Sequence, residues 1–179
     1  MKKKKFEVIY YPTGDRNWDN EVSSIMGWLD GKGLDIGCGG RSINSEITRL
    51  DIDPKNEPDI CSNAEKMPIK DNEFDFVYGI HAFEHLKNPV QGLKEWLRVV
   101  KKGGVVMIIH PDIDHTKKQN KWIDNPGLRE NPYNKHWFEH NLESFLKWLN
   151  KYKKFGFKIM DSGVALENWS FYVVLRKNR

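Results

Sequence analysis

A chain of 179 residues, 39% hydrophobic and 30% charged, has the length and composition of a single globular domain. It contains no run of about 20 apolar residues, the length that a membrane helix needs, and no segment typical of a signal-peptide core. Part of the net charge of +4 lies in the terminal runs KKKK and RKNR, and no basic stripe is interleaved with aromatic residues, which argues against a nucleic-acid partner. The two cysteines lack a CxxC spacing, which indicates a reducing, cytoplasmic compartment.

The first half of the chain alternates helical and strand patterns. Residues 20–30 have a helical apolar spacing that ends at GKG, and residues 34–36 form an apolar strand that runs into glycines. A second strand is predicted over 47–53, and an apolar, aromatic one over 74–80. The connection RSINSEIT between the first two strands has room for only about two helical turns, so we predict a shortened first helix after the glycine motif.

The second half continues this alternation. A helix is predicted over 89–100 with Asn88 as its N-cap, a strand over 105–110 and a helix over 142–152. The segments FGFKIMDSGV and SFYVVLRK, joined by a short polar link, predict an antiparallel hairpin. The whole pattern predicts an α/β fold, a Rossmann-like three-layer sandwich with a mostly parallel sheet and an antiparallel C-terminal hairpin, as one domain over 1–179.

Small or polar residues follow four of the predicted strand ends. Asp35 and its glycines follow the first strand, Asp51 ends the second, SNAEKMP follows the next strand end, and GIHAFEH follows the strand after that. Because ligands bind at the carboxyl ends of strands in such sheets, we expect these segments to converge on one crevice.

Four segments in this order resemble the class I S-adenosylmethionine-dependent methyltransferases, and most of all the small group that methylates metabolites and sugars. They are LDIGCGG, LDIDP, NAEKMPIKDNEFDFVYGIHAFEHL and LKEWLRVVKKGGVVMIIHPD, covering about residues 33 to 112. The resemblance implies S-adenosylmethionine as cofactor and methyl transfer to a small polar acceptor, with O-methylation of a sugar or related metabolite favoured. One departure is Arg41, which stands where the family has a third glycine.

The resemblance also implies the residues that bind the cofactor. Gly37 and Gly39 would let the backbone approach it, Asp35 would orient its amino-acid end, and Asp51 would accept hydrogen bonds from the ribose hydroxyls. Asn63 would accept from the adenine amine, and the strand end at 80–81 would pass beneath the methionine moiety. The full set is Asp35, Gly37, Cys38, Gly39, Asp51, Ile52, Asn63, Ala64, Ile80 and His81.

Methyl transfer to a hydroxyl needs a base with a pKa near the working pH, and histidine is the natural choice. His81 and His110 end adjacent predicted strands, so we predict them as the candidate bases. Glu84 is a further candidate, which would orient an imidazole.

Two other interpretations remain. HAFEH fits H-x-x-E-H, the inverted zinc-protease signature, which would make the chain a metal-dependent hydrolase. That chemistry needs a long helix and a third ligand, whereas this motif is cut off at LKNP, so we predict no metal. Arg41 and the short connection favour a second alternative, a cofactor-binding interaction protein without catalysis. The sequence does not determine the oligomeric state.

The least regular segment, 111–140, lies between the last core strand and the following helix, where we expect it to form a substrate lid. Its aromatic residues would either pack on the acceptor or anchor the loop to the core. The N-terminal segment 1–30 would cap the other side of the cleft. The aromatic residues in question are Trp122, Tyr133, Trp137 and Phe138.

Overall fold

The structure is a computed structural model in which residues 16–115, 133 and 135–178 are described. The predicted alternation of helices and strands is present. Three α-helices are described: α1 (Arg16–Ile25), α2 (Pro89–Val99) and α3 (Leu142–Lys151). Seven strands are described: β1 (Gly33–Ile36), β2 (Thr48–Asp51), β3 (Ile60–Cys61), β4 (Phe74–Ile80), β5 (Val100–Pro111), β6 (Phe157–Leu166) and β7 (Ser170–Lys177).

The strands form one sheet in the order β3-β2-β1-β4-β5-β7-β6. The pairs from β3 through β5 are parallel, whereas β7 is antiparallel to both β5 and β6. The predicted mostly parallel sheet with an antiparallel C-terminal hairpin is therefore confirmed.

The sheet is covered on both faces, which confirms the three-layer fold. One apolar cluster includes Trp96 of α2 and Phe145 of α3, and the other includes Val22 and Ile25 of α1. Asn88 caps α2 as predicted, because its side-chain oxygen accepts the Gln91 amide hydrogen. None of the described helices combines the length and apolar character that crossing a membrane requires.

The prediction of a shortened first helix is wrong in detail, because the connection from β1 to β2 contains turns and no helix. The Asn44 side chain accepts the Glu46 amide hydrogen, and the Ser42 hydroxyl donates to the Asn44 carbonyl. Such local bonds from Ser and Asn side chains compete with helical hydrogen bonding. Ile43 and Ile47 are buried and cover the sheet where a helix would otherwise lie.

Phe83 lies at the centre of an aromatic cluster that connects the segment after β4 to both helices of that face. It is fully buried, with ring centroids 5.2 Å from Trp96, 5.8 Å from Phe138, 5.8 Å from Phe145 and 6.0 Å from Trp148. The edge-on arrangement suits the charge distribution of aromatic rings. Phe83 therefore fixes the backbone on which His81, Glu84 and His85 are carried.

We expect Phe83→Ala to lower the free energy of unfolding by about 3–5 kcal/mol, because it removes a large buried ring and leaves a cavity. Urea denaturation followed by circular dichroism measures this loss. Phe83→Leu, which keeps most of the volume, should cost less, and Met160→Ala, at a side chain that is 44% exposed, should cost little. A loss below about 1 kcal/mol for Phe83→Ala would contradict the central role of this ring.

Candidate functional site

The carboxyl ends of β1, β2 and β4 meet at a cavity of about 230 Å³. Five residues predicted to bind the cofactor line it: Gly37, Asp51, Ile52, Asn63 and Ala64. The other lining residues are Leu50, Ser62, Glu65, His85, Leu86, Lys87, Tyr133 and Trp137.

Asp51 is held rigidly in the cavity wall. Its Oδ2 accepts the Gly39 amide hydrogen and its Oδ1 accepts the Asp53 amide hydrogen, each over 2.8 Å. A carboxylate oxygen has more than one acceptor position. Asp51 can therefore accept hydrogen bonds from ligand hydroxyls without releasing the backbone.

Gly37 lies where the first strand turns away from the sheet. Its φ is +75°, and a Cβ built there would lie 2.6 Å from the Cβ of Ala82. Only glycine adopts this conformation without strain and allows this close packing. The turn can therefore present its backbone to the cavity, and Gly39 contributes to the same turn by donating to Asp51.

Three of the predicted cofactor residues lie behind the cavity wall. Cys38 and Ile80 are buried, 4% and 6% exposed. Asp35 is 2% exposed, and its Oδ2 accepts the Tyr78 hydroxyl hydrogen at 2.7 Å. Burial raises the pKa of Asp35 to about 8, although the Tyr78 hydrogen bond opposes the shift.

Asn63 lines the cavity, but its side-chain oxygen is already engaged. Its Oδ1 accepts the Glu65 amide hydrogen at 2.7 Å. An amide oxygen has two acceptor positions and the amide nitrogen has two hydrogens to donate. Asn63 therefore offers a ligand one acceptor position and its NH₂ group.

His81 lies just after β4 in a buried polar network. Its Nε2 is 2.8 Å from Glu21 Oε1, which also accepts the Ser170 hydroxyl hydrogen. Burial by itself lowers the pKa of His81, but the hydrogen bond to Glu21 and the charges of Glu21 and Glu84 outweigh it, so the pKa is raised. Among the described residues, His81 Nδ1 has no hydrogen-bond partner.

Glu84 is 1% exposed, and neither of its carboxylate oxygens has a hydrogen-bond partner among the described residues. Its Oε1 lies 3.7 Å from both His81 Nδ1 and His85 Nε2. Burial raises the pKa of Glu84, but the charges of four surrounding histidines outweigh burial and lower it. A carboxylate is therefore held in the interior, with imidazole groups around it.

His110, the second predicted base, lies outside the cavity wall. It is 1% exposed, with its Nδ1 2.7 Å from the Pro111 carbonyl oxygen and its Nε2 3.1 Å from the Phe138 carbonyl oxygen. Its ring stacks on Phe171 at a centroid distance of 5.1 Å. This environment gives His110 a structural role between β5 and the segment that precedes α3.

The described part of the predicted lid both packs on the core and lines the cavity. Phe138 is buried, whereas Tyr133 and Trp137 are 41% and 48% exposed and face the cavity. The Trp137 and Phe138 amides donate to the Glu84 carbonyl, which fastens this segment beside the site. Trp122, residues 116–132 and the N-terminal part of the cap, 1–15, lie outside the described residues.

The motifs did not indicate every residue of the site. Glu21 and Ser170 come from α1 and β7, far from His81 in sequence, and no local pattern marks them. The additional cavity residues lie within the quoted motifs or, for Lys87, directly after one, but the motifs assigned no role to them. They are Leu50, Ser62, Glu65, Leu86 and Lys87.

A mostly parallel sheet with an acid and a glycine turn at its carboxyl edge defines the class of nucleotide-cofactor-binding α/β proteins. Residues 34–108 match the family model described as a methyltransferase domain. A demethylmenaquinone methyltransferase of Chlorobaculum parvum is 43% identical over 118 residues, covering 54% of this chain and 48% of that protein. Ajmaline N-methyltransferase of Rauvolfia serpentina is 29% identical over 110 residues, covering 55% and 38%.

The crystal structure of a SAM-dependent methyltransferase from Thermotoga maritima has the same fold, with a TM-score of 0.65 at 20% identity, covering 90% of this chain and 89% of that one. The core of the chain, residues 34–108, is therefore similar to a methyltransferase domain, and the chain has the fold of this S-adenosylmethionine-dependent methyltransferase. It spans less than half the length of the two curated relatives described above.

S-adenosylmethionine is the cofactor named for the Thermotoga maritima methyltransferase, and the residues at this edge of the sheet would fit it. Asp51 would supply a fixed acceptor for the ribose hydroxyls. Gly37 leaves space that a side chain would fill. Asn63 and Ala64 line the same cavity and can lie beside the adenine.

The raised pKa of Asp35 predicts an effect of pH on stability. Between the unfolded value of 3.8 and the folded value of about 8, the native state binds more protons than the unfolded state, so this group lowers stability as pH rises. We expect the free energy of unfolding of Asp35→Asn to rise by roughly 1–4 kcal/mol relative to that of wild type when the pH is raised from 5 to 8.

Urea unfolding of both proteins at the two pH values tests this expectation. Asp30→Asn, at an exposed carboxyl, should show no such gain. If the free energies of unfolding of Asp35→Asn and wild type differ by the same amount at pH 5 and at pH 8, Asp35 is already ionised in the native protein across this range.

Proposed function

We propose that the protein transfers a methyl group from S-adenosylmethionine to a small polar acceptor, and that the favoured reaction is O-methylation of a sugar or related metabolite. The observation that carries the proposal is the fixed Asp51 carboxylate beside Gly37 in the cavity at the carboxyl edge of the sheet. This combination provides hydrogen-bond acceptors for ribose hydroxyls and close backbone approach at one place.

When bound, S-adenosylmethionine supplies an electrophilic methyl group on a sulfonium. The chain then has to align the acceptor and exclude water. Trp137 and Tyr133 present aromatic surface at the cavity, and Lys135 Nζ lies 3.8 Å from the Trp137 ring centroid. An aromatic and polar rim of this kind suits a hydroxylated acceptor better than an apolar one.

We propose His81 as the base that accepts the proton of the acceptor hydroxyl. Donation from Nε2 to Glu21 would fix the tautomer and leave the lone pair on Nδ1, a buried nitrogen 3.7 Å from Glu84 Oε1, so the acceptor would have to enter beyond the cavity wall to reach it. Ser170 donates to the same carboxylate and holds it in place. Glu21 thus acts as a positioning residue for the imidazole.

The names of the relatives support the reaction class and differ in the acceptor. One is named for N-methylation of ajmaline and another for methylation of demethylmenaquinone. The choice of an oxygen acceptor in this protein rests on the resemblance to sugar methyltransferases and on the polar, aromatic rim of the cavity.

Calorimetric titration with S-adenosylmethionine and S-adenosylhomocysteine tests the cofactor site. We expect both to bind, and we expect Asp51→Asn to weaken binding by at least about tenfold, since the amide cannot replace the lost charged acceptor. Asp30→Asn is the matched control and should bind as wild type does.

Loss of binding in wild type would mean that the glycine turn only connects two strands. Binding without turnover on any acceptor would favour the alternative of a cofactor-binding interaction protein.

Transfer of tritiated methyl groups to a panel of sugars, polyols and amines tests the reaction, and mass spectrometry of the product identifies the methylated atom. We expect His81→Gln to lower kcat by about 10²–10⁴-fold, because it removes the proton acceptor, while the affinity for S-adenosylhomocysteine is kept. His115→Gln, at a histidine distant in sequence from this network, is the control. An unchanged kcat for His81→Gln would show that no base at this position is needed.

A further inference from the structure

The buried Glu84 carboxylate is not explained by cofactor binding. It is 1% exposed and neither oxygen has a hydrogen-bond partner among the described residues. A buried carboxylate without such partners costs several kcal/mol unless a cation compensates it. His81 Nδ1 and His85 Nε2, each 3.7 Å from Oε1, lie beyond hydrogen-bond distance, so a cation bound directly to the carboxylate would stabilise it further.

The fold places two histidines beside this carboxylate. His85 is its neighbour in the chain, and His136 is brought in from a distant segment. The Trp137 and Phe138 amides donate to the Glu84 carbonyl at 2.8 and 3.1 Å, which fixes the backbone next to His136. One ligand atom from each of Glu84, His85 and His136 lies within 4.8 Å of the other two.

The tautomer of His85 suits metal binding. Its Nδ1 lies 3.2 Å from the Lys135 carbonyl, to which it can donate, so its Nε2 carries the lone pair that faces Glu84. A histidine that binds a metal through one ring nitrogen usually donates the N–H of its other ring nitrogen to a carbonyl or carboxylate oxygen. Nε2 lies 3.7 Å from Glu84 Oε1, close to the roughly 3.3 Å that separates two ligands of a tetrahedral zinc ion with bonds of about 2.0–2.1 Å.

We infer that Glu84, His85 and His136 form a site for a divalent first-row transition-metal ion such as zinc. Two imidazole nitrogens and one carboxylate oxygen suit such ions and leave a coordination position open. His85 lines the cavity, so the open position adjoins the space proposed for the substrates. The metal site itself is independent of the proposed reaction.

A role for the ion in the reaction rests on the proposed function. An ion with an open position would bind the hydroxyl oxygen of the acceptor and lower the pKa of that hydroxyl group. Neither the metal nor the acceptor would be oxidised or reduced in this step.

This site differs from the hydrolase motif considered in the sequence. That motif would use His81, whose Nε2 instead lies against Glu21. The third ligand comes from His136, 51 positions after His85 in the chain. The sequence suggested no metal because the motif offers no third ligand nearby.

Cobalt(II) titration of the chelator-treated, redialysed protein tests the inference, since its visible absorption reports ligand number and geometry. We expect one cobalt ion per chain, displaced by one equivalent of zinc. Glu84→Gln and His136→Gln should each weaken binding by at least about 100-fold, because each removes a direct ligand. Glu143→Gln and His115→Gln are the matched controls and should bind as wild type does.

Thermal unfolding of every variant, with and without zinc, separates loss of the site from loss of the fold. His136 is only partly buried, so His136→Gln keeps the test decisive if Glu84→Gln does not fold. Absence of stoichiometric cobalt binding, or binding that neither substitution weakens, would overturn the inference. Binding of S-adenosylhomocysteine, measured on the same preparation, shows separately whether the proposed function stands.

Discussion

Parallel pairing of β1 with both β2 and β4 is the constraint on which the whole candidate site depends. It brings the carboxyl ends of three strands to one edge, so that Gly37, Asp51 and the segment after β4 face the same cavity. A shift of register by one residue would exchange the side chains that face the two layers. The buried clusters on both faces resist such a shift, because each side of the sheet has its own apolar contacts.

Two acids are buried near this edge in different electrostatic environments. Burial raises the pKa of Asp35 to about 8, although the Tyr78 hydroxyl donates to this carboxyl group and opposes the shift. Glu84 lies among imidazole groups, and its pKa is lowered. The polar interior therefore has a region that favours a neutral acid and another that favours a negative charge balanced by cations. The assignment of a metal ion to the second region rests on the positions of Glu84, His85 and His136, whose ligand atoms lie within 4.8 Å of one another.

The ends of regular elements were predictable where local chemistry sets them. Asn88 caps α2 by accepting from Gln91, and the apolar run of β4 has the bounds expected from its composition. The connection from β1 to β2 was not predictable in detail. The side chains of Ser42 and Asn44 form hydrogen bonds with nearby backbone groups. Ile43 and Ile47 are buried in an apolar cluster although this segment is not helical. The backbone groups of a short polar segment can form either helical hydrogen bonds or hydrogen bonds to nearby Ser and Asn side chains. Only tertiary packing selects between these two conformations.

By itself, the sequence determined the order of strands and helices, the glycine turn at Gly37 and the acid at Asp51, because these depend on periodicity and backbone freedom over a few residues. Only the tertiary structure decided which polar groups meet. It placed His110 between carbonyls in the core, joined His81 to Glu21, and brought His136 next to Glu84. The physical reason is that, apart from the contact of His110 with the adjacent Pro111 carbonyl, these contacts join residues about 30 to 60 positions apart. Their geometry is set by packing of the whole sheet and its two layers, which no local pattern encodes.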